Sequence, residues 1–427
     1  MFPINFILNF FYSLIFLFLI ILIIYTEIPQ TKAATIANSI PVNCKEISKA
    51  NTKFNQRFLE FMKTWQIPGA SIAVMQDNKM LLSCGYGWAN LEKRQPMQAD
   101  FLFRLGSISK TITAITILTL IEQNKLTLDD KVFIILSDLN PLNKSKPNPD
   151  IYKITIRNLL QMSSGWYTDR PQDYDPMFGP WSKEMLKQLN YQAPPDCETA
   201  ARLMMSMPLQ FSPGTKFSYS NFNYCLLGLI INKIIKQNGA AGYEIFIKQN
   251  LLSPLGINDM QLGSTRIEDK AAKEVTYYAE DKDGKLDGLP YGTTDILRKN
   301  YSDGGWISSS RDLAKILQAL YNDQILNPTI KKIMLEKPRY TNKKSGYPAM
   351  GWDEVNFING KRYISKIGSF TGTKTFILQS NNGISYAVLF NIKPPHGDQF
   401  IKQLREMLGL IKIRIPNQKP TLQSFSN

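Results

Sequence analysis

The sequence of 427 residues predicts an α+β fold: an antiparallel sheet flanked by helices, with a mostly helical lobe inserted into it. Three observations carry that prediction. Strand-like apolar runs lie at both ends of the chain, Ala70 to Met75 and Met80 to Tyr86 early, and Tyr363 to Ile367, Thr373 to Ser380 and Ile384 to Asn391 late. Amphipathic stretches accompany them at Asn51 to Thr64 and Asp398 to Leu410. The intervening segment, about 131 to 300, reads as helix and loop, so the two ends must meet to build a single sheet.

Each element has a local cause. Gln76-Asp77-Asn78-Lys79 joins the first two strands as a hairpin, and Asn381-Asn382-Gly383 joins the last two. The terminal amphipathic stretches supply helices on one face of the sheet. From Ile108 onward, Ile112, Ile115, Ile117, Leu118, Leu120 and Ile121 cover nearly the whole circumference of a helix, which is therefore buried and covers the other face. Gly106 permits a tight turn before that helix, and Ser107 stands where a cap residue is favoured. Long connections at Asn140 to Pro149 and Tyr167 to Pro195 are of the kind that shapes a cleft.

Composition bounds the setting. The chain is longer than one core usually serves, and 44% hydrophobic residues can fill two lobes. Leu14 to Ile24 is an unbroken apolar run followed by Thr31-Lys32-Ala33, which predicts export by a cleaved leader or a retained membrane anchor. The resulting organisation is a signal peptide or anchor over 1–33, a folded region over 45–412 and a polar tail over 413–427. The folded region divides into an α/β lobe, about 45–130 and 300–412, and a helical lobe, about 131–300. A formal charge of +15 favours association with anionic cell-wall polymers or a membrane surface, while export argues against nucleic acid as a partner. Cys44, Cys84, Cys197 and Cys225 would meet an oxidising compartment, though Cys225, in an apolar helical stretch, suits a buried thiol as well as a disulfide.

Chemistry concentrates in Ser107-Ile108-Ser109-Lys110. Spacing of i, i+3 on a helix sets an amine one turn from a hydroxyl, a nucleophile and base pair that needs no histidine. By itself such a motif is a weak signal. Tyr219-Ser220-Asn221 and Lys366-Ile367-Gly368 come after it, and in that order the three motifs resemble the serine hydrolases built like class C β-lactamases, DD-peptidases and related esterases. Further likeness runs from about Phe54 to Asn391, through Ile67 to Val74, Leu126 to Val132, Ile156 to Gly165, Phe211 to Phe217 and Asp303 to Leu313.

The resemblance implies a β-lactamase/transpeptidase-like fold and a serine hydrolase that forms an acyl-enzyme on a small-molecule or peptide substrate, with no cofactor and no metal. It implies Ser107 as nucleophile, with Lys110 and Tyr219 as a coupled proton carrier in which either group can hold the proton. Two nearby ammonium groups would pull the Tyr219 phenol below its usual value of about 10. Asn221 would hold the Lys110 amine or a substrate amide, Lys366 and Gly368 would form the substrate-binding strand, and the backbone N–H groups of Ser107 and Ser369 would form the oxyanion hole. At the position between Lys366 and Gly368 the family commonly has Thr, whose hydroxyl helps bind a substrate carboxylate. Ile367 stands there instead, so carboxylate recognition and β-lactam turnover are expected to suffer.

Other chemistries fit poorly. The single histidine, His396, follows Pro394-Pro395 as a surface residue would. Asp281-Lys282-Asp283-Gly284 lacks the third acidic position of a calcium loop, and Gly85-Tyr86-Gly87 lacks the third glycine of a dinucleotide site. Three readings stay open beside an amide or ester hydrolase: a DD-carboxypeptidase, a true class C-like β-lactamase, and a catalytically silent envelope-binding protein.

Overall fold

A computed structural model describes residues 40–410, apart from 48–51, 143–144, 169–175, 178–179, 192–193, 281–285, 289–290, 292–294 and 359. The apolar run Leu14 to Ile24 expected to direct export, the polar segment 413–427 and Asp281-Lys282-Asp283-Gly284 lie outside the described residues. Among those described, no helix is long and apolar enough to cross a membrane.

The strands are, in chain order, β1 (Val42–Ile47), β2 (Gly69–Gln76), β3 (Lys79–Asn90), β4 (Gln95–Pro96), β5 (Phe103–Arg104), β6 (Gln261–Leu262) and β7 (Tyr278–Glu280). They continue with β8 (Leu286–Gly288), β9 (Trp306–Ser308), β10 (Tyr347–Ala349), β11 (Trp352–Ile358), β12 (Lys361–Phe370), β13 (Thr373–Ser380) and β14 (Ser385–Phe390). One antiparallel sheet takes the order β1-β3-β2-β14-β13-β12-β11-β10, with β4 added to β3. The first and last strand groups of the chain thus join at β2 and β14, with Ala73 opposite Ala387. Asp77 and Asn78, both at positive φ, make the two-residue turn between β2 and β3, a conformation these side chains tolerate better than most. A smaller sheet sets β9 between β5 and β6, and β7 pairs with β8.

The helices that frame the sheet and its cleft are α1 (Thr52–Thr64), α2 (Ser109–Glu122), α3 (Cys197–Met204), α4 (Asn221–Ile235), α5 (Ser310–Tyr321) and α6 (Gly397–Met407). The terminal pair, α1 and α6, covers one face of the sheet through an aromatic cluster of Phe58, Phe61, Phe390 and Phe400, with ring centroids 5.1–6.3 Å apart. On the opposite face α5 lies against β2 and β3, where Ser310 Oγ meets Ser71 Oγ at 2.7 Å and Arg311 donates to Ser83. Helix α2 is buried almost all round, as its apolar circumference requires. The stretch from Tyr167 to Pro195 is not the continuous loop expected: Pro180–Gln188 forms a helix, started by a proline at its first position and anchored by buried Leu186.

All four cysteines are paired. Cys44 bonds Cys84 directly across the β1–β3 ladder, and Cys197 at the head of α3 bonds Cys225 on α4. Cys225 is thereby a disulfide partner rather than a free thiol.

Candidate active site

The nucleophile turn is built by backbone contact. Arg104 of β5 pairs with Ile307 of β9, and Leu105 N donates to Trp306 O at 2.9 Å, which brings the Asp303-Gly304-Gly305 loop alongside Ser107. Gly106 has φ +54°, and a Cβ there would sit 2.7–2.9 Å from the backbone of Ser369. On the other side, a Cβ at Gly368 would lie 1.9 Å from Leu105 O. Two glycines therefore let the turn and β12 press backbone against backbone, which sets Ser369 beside the residue that precedes Ser107.

Ser107 does not cap a helix. It sits in a 3₁₀ turn over Gly106–Ile108, α2 begins at Ser109, and no side-chain cap hydrogen bond forms at either start. The physical reason is that its oxygen is otherwise engaged. Ser107 Oγ lies 2.5 Å from Tyr219 OH and accepts from Lys110 Nζ at 3.1 Å. A cap would have turned that oxygen back onto the backbone.

Lys110 is wholly buried, an arrangement that costs on the order of several kcal/mol unless its protons find acceptors. They do: besides Ser107 Oγ, Nζ donates to Asn221 Oδ1 at 2.8 Å and to the Asp303 carbonyl at 2.8 Å, with the Asp303 carboxylate 3.9 Å away. Asn221 is the first residue of α4, while Ser220 caps that helix through a bond from Asn223 N. Asp303 is a site residue that sequence reasoning missed. It contributes mainly its carbonyl, which every residue type possesses, so residue identity carried no signal.

Tyr219 stands between two ammonium groups, with Lys110 Nζ 5.3 Å and Lys366 Nζ 5.5 Å from its ring centre. Burial pushes its phenol up, but the charges of Lys110 and then Lys366 outweigh burial and hold it below the usual value of about 10. Lys366 itself is buried, not the solvated strand lysine its type would suggest. Burial works against its charge, yet Asp353 and Tyr219 hold it above the ordinary lysine range.

Asp353 is the second residue that sequence reasoning missed. Its Oδ1 accepts from Lys366 Nζ at 2.5 Å and its Oδ2 from Ile367 N at 2.8 Å. It is the second residue of β11, the strand beside β12, and lies outside every motif, so no spacing pointed to it. Of the remaining candidates, Gly368 lies against Leu105 and Ser369 against Gly106. His396 is exposed at the entry to α6. Among the described residues one cluster has the donors to hold a metal, Cys197, Cys225 and Asp303, and its sulfurs are consumed by the disulfide.

Set against known proteins, residues 54–409 match the family model described as Beta-lactamase. The chain belongs to that family. Protein flp of Staphylococcus aureus (strain MW2) is 27% identical over 80% of this chain and 63% of its own length. Penicillin-binding protein 4* of Bacillus subtilis (strain 168) is 25% identical over 72% of this chain and 64% of its own. The chain thus spans a little under two thirds of the length of these curated relatives. Among solved structures, the octameric penicillin-binding protein homologue from Pyrococcus abyssi superposes with a TM-score of 0.66 at 28% identity, covering 84% of this chain and 77% of that one. The α+β architecture with an antiparallel sheet is that of this family.

Proposed function

We propose that this Beta-lactamase family member is an exported serine hydrolase that cleaves an amide or ester through an acyl-enzyme on Ser107. The observation that carries the reading is the convergence of Lys110 Nζ and Tyr219 OH on Ser107 Oγ. With its phenol lowered, Tyr219 takes the Ser107 proton as Oγ attacks the substrate carbonyl, and Lys110, held in place by Asn221 and Asp303, stabilises the phenolate. The amides of Ser107 and Ser369 receive the oxyanion. Tyr219 then returns the proton to the leaving atom, the acyl-enzyme forms, and water completes the cycle.

Cell-wall peptides, small esters and β-lactams are the substrate classes that suit this chemistry, and the penicillin-binding relatives support the third. An intact Ser107, Lys110 and Tyr219 set argues against a silent envelope-binding protein. Two disulfides and the apolar run at Leu14 to Ile24 support export to an oxidising compartment. The test is labelling with a neutral fluorophosphonate and a fluorescent penicillin side by side. Ser107→Ala should lose all labelling and at least about 10⁴-fold in ester hydrolysis while melting as the parent does. Undiminished labelling of that variant would sink the assignment.

A further inference from the structure

Pairing of β11 with β12 stops at Glu354 opposite Ser365. Beyond that point the edge of β12 that carries Lys366, Gly368 and Ser369 has no neighbour strand among the described residues, and the Asp353 side chain takes the place of one by accepting from Ile367 N. The same carboxylate grips Lys366 at 2.5 Å. Exposure is uneven across this pair: the Lys366 side chain is 2% exposed and that of Asp353 28%, so the negative member is the one that solvent and an incoming molecule meet. The next carboxylate along, Glu354, is held by Arg405 at 2.7 Å. Lys110 is taken up by Ser107, Asn221 and Asp303.

Position along the reaction gives this pair a role. In the proposed mechanism Tyr219 hands its proton to the leaving atom, and Lys366 Nζ, gripped by Asp353, lies 5.5 Å from the centre of the Tyr219 ring, so the pair stands close to where the leaving group departs. A lone buried lysine there would attract a leaving group bearing a carboxylate. Here the lysine charge is already balanced, and what remains open is the back of a carboxylate, with acceptor capacity beyond the two bonds it makes. Resting on the Ser107 acyl-transfer reading, we propose that Asp353 is a specificity-determining residue that makes the site reject carboxylate-bearing leaving groups and favour neutral or cationic ones.

The test uses three aryl acetates with one acyl group, whose phenol leaving groups carry a para carboxylate, methyl or trimethylammoniomethyl substituent. Values of kcat/KM are divided by each ester's rate with hydroxide, which removes intrinsic reactivity. For the full chain the order should be cationic, then neutral, then anionic. Asp353→Asn should raise the anionic-to-neutral ratio at least tenfold and lower the cationic-to-neutral ratio. Lys366→Met, which leaves the Asp353 carboxylate unbalanced, should move both ratios in the opposite direction, whatever it does to the absolute rate. Fluorophosphonate labelling of Ser107 in each protein reports that the site is assembled. Labelling with unmoved ratios overturns the role of Asp353 and leaves the hydrolase reading standing. Absence of labelling and turnover in the parent chain overturns both. Should Asp353→Asn alone fail to label, the direction of change in Lys366→Met decides.

Discussion

Two buried lysines flank one tyrosine, and they are held in different ways. Lys110, on helix α2, donates to neutral oxygens, those of Ser107, Asn221 and the Asp303 backbone, with a carboxylate only at 3.9 Å. Lys366, on strand β12, is clamped by a carboxylate at 2.5 Å. A cation held by dipoles keeps most of its field for its neighbours, whereas a cation beside an anion is largely cancelled beyond a few ångströms. Under the proposed mechanism the difference implies a division of labour: Lys110 would act on the reacting atoms, and Lys366 would be mainly a scaffold for β12 and a lesser tuning charge.

That contrast can be broken by removing each cation in turn. Lys110→Met should lower kcat/KM for every ester by about 10³- to 10⁴-fold, because both the proton relay and the phenolate support vanish. Lys366→Met should cost only about ten- to a hundredfold, the worth of one charge-assisted interaction of roughly 1.5–3 kcal/mol. Equal losses measured with one neutral ester would show that the clamp leaves Lys366 as active as Lys110.

The disulfides sharpen the comparison from below. Cys225 lies on α4, one turn beyond Asn221, and its sulfur and that of Cys197 lie within 4.8 Å of the Asp303 carboxylate, so this bond underlies the Lys110 side alone. Cys44–Cys84 ties the far edge of the sheet. Closing loops with sequence separations of 28 and 40, each bond should contribute about 3–4 kcal/mol to stability by the chain-entropy account. Replacing either pair by alanines should therefore lower Tm by a similar amount. Only the Cys197/Cys225 replacement should also reduce kcat at a temperature where both variants are folded. A kcat loss of the same size in the Cys44/Cys84 variant would mean the effect is global.

Acid–base behaviour offers a finer cut. If Tyr219 acts as phenolate, as proposed, kcat/KM should rise with pH through a phenol pKa that lies below about 10. Lys110 and Lys366 lower that pKa and Asp353 raises it. Lys366→Met should accordingly move the rising limb to higher pH, and Asp353→Asn to lower pH. The pH–rate profiles of the three proteins on a neutral ester measure this, and shifts in the same direction for both variants would contradict the assignment of Tyr219 as the proton acceptor.

Much of this arrangement is legible in the chain, for identifiable reasons. Ser107 and Lys110 stand at a spacing that brings a hydroxyl and an amine together, Tyr219 and Lys366 follow in motifs whose order resembles that of the serine hydrolases, and apolar strand-like runs at the two ends of the chain indicate which ends meet. The parts that escape are carried by groups without a residue signature. The Asp303 carbonyl could belong to any residue, and Asp353 acts by replacing a missing backbone partner at a strand edge, an event set by where β11 stops pairing. The Ser107 turn reads as a helix cap because capping preference and nucleophile geometry favour the same residue types. Pairing of the cysteines likewise depends on tertiary contact, since 28 and 40 residues separate the partners.

The smallest effect concerns Ile367, where the sequence suggests that a threonine hydroxyl would restore carboxylate recognition. Two observations reduce that expectation. Strand alternation in β12 puts the 367 side chain on the face opposite Lys366, across from Phe376 of β13, and the Ile367 N–H is already bound by Asp353. Any carboxylate drawn to a new hydroxyl would still approach the Asp353 carboxylate. Ile367→Thr alone should therefore change the ratio of cephalosporin to neutral-ester kcat/KM by less than about threefold, whereas adding it to Asp353→Asn should gain more than the sum of the two single effects in free energy. The measurement is that ratio in the parent, both single variants and the double variant. A gain of about tenfold from Ile367→Thr by itself, the worth of one hydrogen bond to a charged group, would assign the selectivity to the missing hydroxyl and leave Asp353 as a clamp for Lys366.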